Sequence, residues 1–214
     1  MSPLITTELV KELRDKTGIS IMQCRRALEE AGGDMNKAVA ILKKTSGDIA
    51  LKKNSRDARD GRVCIKTEKN KFVLVALHCE TDFVAKNEDF VALLSSLADI
   101  ALRGGIEKMK KNAKDMINPI IQKTGENIVL GEVYEVNGNT LGSYVHNDKI
   151  AVIVSLDGGS ASLAKDMAMH IAAMQPEGIP ELLDQVFIKN TEETVGQLLE
   201  KNKAKIKEVK HYSI

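Results

Sequence analysis

Apolar residues recur at helical spacing in the first quarter of the chain. Between Thr6 and Leu51 they form three short runs whose spacing is typical of helices that bury one face. Gly18 follows the first run and Asp34 precedes the third, as residues that end and begin helices do. The pattern predicts a compact three-helix module over residues 1–52.

The apolar pattern changes after a charged segment at 53–61, which we interpret as a linker. Residues 61–67 and 71–79 have strand character and flank a short sequence rich in turn formers, which predicts a β-hairpin. Residues 72–77 are continuously apolar, and such a run is typical of a strand that is buried on both faces.

Helical spacing returns after the hairpin and ends at Gly104-Gly105. The next segment predicts a charged helix from about Ile106 to Met116 and then a separate short helix that begins at Asn118-Pro119. The separation is expected because proline lacks a backbone donor and is tolerated best in the first turn of a helix. Residues 126–136 return to strand character.

The remainder of the chain repeats this order of elements. The sequence VLVALHCE aligns with AVIVSLDG, and LADIAL aligns with MHIAAM, so two copies of a β-β-α-α-β unit are predicted at 62–138 and 139–214. The first copy is longer in the loop between its second strand and its helix. The predicted fold class is α+β, with helices packed on antiparallel sheets.

Composition limits the classes of partner. Thirty-one Lys and Arg against 30 Asp and Glu give a net charge of +1, so we expect neither direct nucleic-acid binding nor attraction to an anionic membrane. The first residues lack a basic stretch followed by an apolar run, and no run of about 18 apolar residues occurs, so we expect neither secretion nor a membrane helix. Three cysteines at irregular spacing indicate reduced thiols, and a cytoplasmic location is expected.

Motifs for chemistry are weak. The sequence has no phosphate-binding, dinucleotide-binding or metalloprotease motif. His78 and Cys79 are adjacent, so on a strand they point to opposite faces and cannot act as a nucleophile and its base. The four histidines lie in separate predicted elements. We therefore expect no catalytic residues, no metal site and no cofactor, and a thiol enzyme is the least favoured hypothesis.

The stretch HCETDFVAKNEDF, residues 78–90, places Phe83 among charged residues in a chain with only four Phe and three Tyr. In one interpretation Phe83 packs back on the next helix near Phe90. In the other it is an exposed wedge, presented to a partner on a turn capped by Asp82 and Asn87. The aligned segment of the second copy, DGGSASLAKD, has no aromatic residue, which favours the wedge.

Several motifs together carry a resemblance to a known family. ELVKELRDKTGISIMQCRRALEEAGGDMNKA is followed in order by TDFVA, TGENI, LGSYVH, MHIAAM and TVGQLL. In these motifs the chain resembles bacterial-type elongation factor Ts. The resemblance implies a ubiquitin-associated-like N-terminal module and guanine-nucleotide exchange on elongation factor Tu, in its GDP-bound and nucleotide-free forms, during translation elongation.

The resemblance also implies which residues meet the partner. Asp82 and Phe83 would reach its nucleotide domain near the magnesium and phosphate region, and His146 would face a different domain. The complete set of implied partner-binding residues comprises the signature residues, four module residues, two residues of KTGEN and one histidine: Thr81, Asp82, Phe83, Val84, Ala85, Arg14, Ile21, Met22, Arg25, Thr124, Gly125 and His146.

Departures from the longest family members are visible as well. The segment EGIPELLDQVFIKNTEE stands where long members carry a coiled-coil arm, and the sequence reaches Ile214 without their C-terminal helix, so a short form is expected. An alternative function remains open, in which the chain is an adaptor that binds partners through its N-terminal helices and has no exchange activity.

Overall fold

The structure is a computed structural model that describes residues 5–214. Helices and antiparallel strands alternate along the chain, which confirms the predicted α+β class. Residues 1–4 of the predicted N-terminal module lie outside the described part. Between residues 5 and 214, no helix combines the length and the apolar character that a membrane crossing requires.

The three helices predicted at the N-terminus are present. Gly18 ends the first helix in a left-handed conformation, with φ 67°, and the Asp34 side chain caps the third. Leu13, Leu28 and Leu42 meet in a small core between the helices. The helices are α1 (Thr7–Thr17), α2 (Ile21–Glu30) and α3 (Met35–Lys53).

The first sheet has three antiparallel strands in the order β1-β2-β3. The predicted hairpin forms its first two strands, and three helices connect the second strand to the third. One of these, a single turn that contains Phe83, was expected only as a turn. The elements are β1 (Asp60–Glu68), β2 (Lys71–Cys79), α4 (Asp82–Ala85), α5 (Glu88–Gly104), α6 (Ile106–Thr124) and β3 (Val129–Asn137).

The second sheet has the order β4-β5-β8, again antiparallel. Its predicted hairpin, long helix, short helix and closing strand are confirmed. A further short helix and a two-stranded hairpin, absent from the sequence prediction, occupy 179–194. The elements are β4 (Thr140–His146), β5 (Ile150–Asp157), α7 (Ala161–Met174), α8 (Ile179–Asp184), β6 (Val186–Phe187), β7 (Asn190–Thr194), α9 (Val195–Lys201) and β8 (Lys205–Ser213).

The predicted break at Asn118-Pro119 is wrong, because α6 is one continuous helix through Pro119. Met109, Ile117 and Ile121 lie on both sides of that proline and are buried in the same core. Tertiary packing therefore keeps the helix intact although one backbone donor is missing. Pro119 itself lies on the exposed side of the helix.

The two sheets pack against each other, and the helices cover their outer faces. Val73, Val75 and Leu77 of β2 point into a core shared with α5 and α6. Leu74 and Ala76 point the other way, into a core that also contains residues of β4 and β5. The prediction that this strand is buried on both faces is confirmed for residues 73–77.

Candidate functional site

Phe83 lies on the surface, directly beyond the end of β2. Its side chain is 81% exposed, whereas Phe90 is completely buried. The interpretation in which Phe83 packs back on the next helix is therefore wrong. We call residues 80–87, which connect β2 to α5 and include the one-turn helix α4, the Phe83 turn.

A helix-capping side chain lies at each end of the Phe83 turn, Thr81 for α4 and Asn87 for α5. The Thr81 hydroxyl accepts a hydrogen bond from the Val84 amide at 3.4 Å, and Asn87 Oδ1 accepts one from the Asp89 amide at 2.9 Å. Capping by Asn87 was predicted correctly, but Thr81 and not Asp82 caps α4. An extended residue just before a helix can turn its side chain back onto the first free amides, and Thr81 has that conformation.

Asp82 instead bonds along the helix. Its Oδ2 accepts a hydrogen bond from Lys86 Nζ at 2.7 Å, four residues later. This hydrogen bond raises the pKa of Lys86 above its ordinary value. Both side chains are solvent-accessible, so the pair shapes the charge beside Phe83 and adds little stability.

The two apolar residues that follow Phe83 face inward. Val84 and Ala85 are 9% and 2% exposed and belong to the core beneath α5. Their burial fixes the rotation of α4, because this one-turn helix lies at the surface and only the side that carries Val84 and Ala85 contacts the core. Phe83 is consequently directed to solvent.

Glu126, in the loop between α6 and β3, binds the start of the Phe83 turn. Its Oε2 accepts hydrogen bonds from the backbone amides of Glu80 and Thr81, both at 3.0 Å, and its Oε1 accepts one from the Thr81 hydroxyl at 2.6 Å. The predicted contact residues Thr124 and Gly125 directly precede Glu126. The structure thus brings the segments around Phe83 and Gly125 together.

A second set of bonds joins this loop to the segment after α3. The Asn127 backbone amide donates to Glu80 Oε1 at 2.7 Å, and Asn127 Nδ2 donates to the Arg56 carbonyl oxygen at 2.7 Å. Arg56 also lies 3.5 Å from Glu80 Oε1. The segment after α3 and the loop between α6 and β3 therefore meet at the start of the Phe83 turn.

The N-terminal helices dock beside the same loop. Gln122 Nε2 donates to Gln23 Oε1 at 2.9 Å, and the Lys123 side chain lies against Gly18. Lys123 Nζ also lies 2.5 Å from Asp89 Oδ2 at the start of α5. The beginning of α2 is thereby held next to the end of α6.

Four predicted contact residues lie on this docked module. Ile21 and Met22 are 54% and 65% exposed although they are apolar, and Arg14 is exposed near the end of α1. Arg25 is also exposed and pairs with Glu29 at 3.0 Å. The first turn of α2 thus presents two apolar side chains to solvent on the part of the module that lies next to the end of α6.

His146 lies apart from these residues, at the tip of the β4–β5 hairpin. Tyr144 and Asn147 hydrogen-bond its two ring nitrogens, at 3.1 and 3.2 Å. The next residues of the tip reach the first sheet, where Lys149 Nζ donates to Asp60 Oδ1 at 2.5 Å. Burial opposes ionisation of Asp60, but its hydrogen bonds from Lys149 and the Gly61 amide outweigh this effect and lower its pKa.

The thiols are poorly placed for nucleophilic chemistry. Cys79 is fully buried, and burial raises its pKa to about 12, while burial raises that of Cys64 to about 11. His78 points to the opposite side of β2 and hydrogen-bonds the Tyr212 hydroxyl at 2.8 Å. Within residues 5–214, no three His, Cys, Asp or Glu side chains are grouped as metal ligands would be.

Sequence reasoning missed Glu80, Glu126 and Asn127. Glu80 directly precedes the quoted motif TDFVA, and Glu126 and Asn127 lie within TGENI, so their place in or beside those motifs was available as a signal. The pattern of apolar residues could not identify them, because each acts through hydrogen bonds to a segment more than forty residues away.

An exposed aromatic side chain above a hydrogen-bonded turn is typical of a protein that acts by binding another protein. The family model described as Elongation factor TS matches residues 80–181. Elongation factor Ts of Aeromonas salmonicida (strain A449) is 42% identical over 183 residues, which cover 81% of this chain and 62% of that protein.

Two further relatives show the same relationship. Elongation factor Ts of Hahella chejuensis (strain KCTC 2396) is 39% identical over 204 residues, or 88% of this chain and 69% of the relative. Elongation factor Ts of Psychrobacter arcticus is 37% identical over 187 residues, which cover 83% of this chain and 64% of that protein. The chain spans about two thirds of the length of these relatives. It belongs to the elongation factor Ts family.

Proposed function

We propose that this protein is a guanine-nucleotide exchange factor for elongation factor Tu in translation elongation. One observation carries the proposal, namely that Phe83 is 81% exposed on a turn whose two ends are capped and whose underside is buried. Exposure of a large aromatic group carries a hydration cost, which is recovered when a partner pocket takes up the side chain. We infer that Asp82 and Phe83 enter the partner near its magnesium and phosphate site.

The proposed reaction needs no bond to be made or broken in the factor. The factor binds a form of the partner whose phosphate and magnesium contacts are distorted, and it binds this form better than the relaxed GDP-bound form. Thermodynamic linkage then requires that the affinity of GDP for the complex falls by the same ratio as the affinity of the exchange factor rises. Differential affinity for the two forms therefore drives GDP release.

The other predicted contacts have supporting roles in this proposal. Ile21 and Met22, on a module that we infer to be ubiquitin-associated-like, bind the same partner domain as the Phe83 turn. Thr124 and Gly125 extend that contact, and His146 meets a different domain of the partner. The two sheet units, which we propose to be repeated subdomains, hold these groups at fixed separations.

Phe83→Ala tests the proposal directly. Burial of one Phe contributes on the order of 1.5 to 3 kcal/mol. Loss of this term in the distorted complex should slow GDP release by about ten- to a hundredfold. Stopped-flow release of a fluorescent GDP from elongation factor Tu at saturating factor measures this rate. Because the side chain is exposed, stability should change by no more than about 0.5 kcal/mol.

Val186→Ala is the matched control, because Val186 is an apolar residue that is 50% exposed on β6 and lies outside the set of inferred contacts. With Val186→Ala, GDP should leave the partner at the same rate as with the unmodified protein. An unchanged saturating rate for Phe83→Ala would exclude the wedge.

The adaptor function remains the second candidate, because Ile21 and Met22 form an exposed apolar pair on the N-terminal helices. An adaptor would lose its partner on Met22→Ser and keep it on Phe83→Ala, with no acceleration of GDP release by any variant. A pull-down with residues 1–52 adds a second readout, since an adaptor should keep nearly all its affinity in that fragment.

A further inference from the structure

We propose that Glu126 is a positioning residue that holds the Phe83 turn in its binding conformation. The inference rests on the proposed exchange function and deepens it, since Glu126 acts through Phe83. Glu126 is outside the set of contacts inferred from the sequence. Its three hydrogen bonds all go to the first two residues of the turn, Glu80 and Thr81.

The two backbone amides need this carboxylate because the sheet has ended. Pairing of β2 with β1 stops at Cys79, and pairing with β3 stops at His78. The amides of Glu80 and Thr81 therefore lie beyond both ladders, and Glu126 Oε2 accepts from both at 3.0 Å. A hydrogen bond to a charged acceptor is about twice as strong as one between neutral groups.

The third bond links Glu126 to the helix that carries Phe83. The Thr81 hydroxyl donates its hydrogen to Glu126 Oε1 at 2.6 Å, and its oxygen accepts from the Val84 amide at 3.4 Å. A hydroxyl has one hydrogen and two lone pairs, so donation to Glu126 directs a lone pair to α4. The carboxylate thus sets the orientation of the cap of α4.

Position along the chain gives Glu126 a second effect. It directly follows Gly125, which has φ 77° and ends α6 in the left-handed conformation. The same side chain therefore joins the inferred contact segment at 124–125 to the inferred contact segment at 81–85. With both segments held by one carboxylate, the partner meets a surface that is already formed.

The expected effect follows from the population of the binding conformation. When the competent conformation is populated only in part, the apparent dissociation constant rises by the inverse of that fraction. A turn that is ordered for about a tenth of the time would raise the half-saturating concentration about tenfold. The rate at saturation should be largely retained, because the bound complex still contains Phe83.

The test compares variants of the full chain in the fluorescent GDP assay. Glu126→Ala should raise the half-saturating concentration about tenfold. Glu126→Gln should raise it less, by about threefold, since the amide oxygen can still accept from the two backbone amides whereas the NH2 group cannot accept from the Thr81 hydroxyl. Glu135→Ala is the matched control, because Glu135 pairs with Lys71 at 2.9 Å at the opposite end of the same sheet, and it should have no effect.

A double-mutant cycle separates positioning from general loss of structure. In a Phe83→Ala background, Glu126→Ala should have a much smaller effect on the half-saturating concentration, because only the contact at 124–125 is still there to be disturbed. Equal effects in both backgrounds, or a Glu126→Ala protein that behaves like Glu135→Ala, would overturn the inference. An unchanged saturating rate for Phe83→Ala would instead exclude the wedge, and no acceleration of GDP release by the unmodified protein would refute the proposed exchange function.

Hydrogen exchange tests whether Glu126 orders the Phe83 turn when no partner is present. In Glu126→Ala, amides of residues 80–87 should exchange faster while those of α5 stay protected. Unaltered protection of 80–87 would contradict the positioning role even if GDP release were slow.

Discussion

Cys79 and Phe83 are close in sequence but have opposite environments, and both environments follow from the place where β2 ends. Cys79 is the last residue of the strand, and its side chain is sealed beneath α5. Phe83 lies one helical turn beyond the strand, on the side of α4 opposite the buried Val84 and Ala85. At the residue scale, burial determines the chemistry of the thiol and the accessibility of the ring.

Cys79 should make stability depend on pH in the alkaline range. Its pKa is raised from 9.0 to about 12 because burial penalises the thiolate. Because the pKa is raised in the folded state, the contribution of Cys79 to stability is fully present below pH 9.0 and is lost as the pH rises toward 12. At pH 10 the free energy of unfolding should be about 1.4 kcal/mol lower because of this thiol.

Urea unfolding of the unmodified protein and of Cys79→Ala at pH 8 and pH 10 measures this loss. The unmodified protein should lose more free energy of unfolding than the variant between the two pH values, by about 1.4 kcal/mol. Parallel losses in the two proteins would show that Cys79 ionises as readily in the fold as in the unfolded chain.

Elements in the second unit pack unusually closely where β4 crosses α7. A Cβ added to Gly142 would lie 2.1 Å from the Ala164 carbonyl carbon and from the Lys165 amide nitrogen. Both atoms are backbone, so no side chain can move aside. At the element scale, this glycine sets the distance between the helix and the sheet.

Gly142→Ala should therefore be strongly destabilising. Overpacking usually costs about 1–3 kcal/mol, and a clash with helix backbone should reach about 3 kcal/mol or more. Urea unfolding measures the change in free energy. Gly178→Ala is the control, since its added Cβ would meet only Pro180 at 3.7 Å, and it should change stability by no more than about 0.5 kcal/mol. Similar costs at both positions would contradict the close approach of β4 and α7.

At the scale of the whole molecule, the two sheets share one core. Val63, Leu74 and Ala76 of the first sheet meet Ala151 and Ile153 of the second. Strand β2 contributes to this core and to the core under α5, so each unit depends on the other for burial. The N-terminal helices have a separate small core and join the body through α3 and α6.

Ile153→Ala should consequently weaken both units together. Truncation of a buried Ile costs about 2–5 kcal/mol. Hydrogen exchange should then show equal loss of protection in β2 and in α7, because a shared core unfolds as one cooperative unit. Leu42→Ala, in the core of the N-terminal helices, should raise exchange only in α1 to α3. Loss of protection confined to α7 after Ile153→Ala would mean that the units unfold independently.

Local patterns were sufficient for most elements of this fold. The apolar run at 72–77, the spacing of Leu93, Leu94 and Leu97 and the glycine that ends α1 are each encoded within a few residues. Local rules failed at Pro119, where a core formed by distant residues keeps α6 continuous, and at 179–194, where the apolar pairs are too short to give a period.

By itself, the sequence determined most of the secondary structure, the family motifs and the presence of a Phe in an unusually polar segment. Only the tertiary structure decided that Phe83 faces solvent, that Thr81 caps its helix and that Glu126 holds the turn. The physical reason is the range of the interactions. Periodicity and capping act over a few residues, whereas the bonds from Glu126 to Glu80 and Thr81 form only after the packing of α5 and α6 has brought two distant loops together.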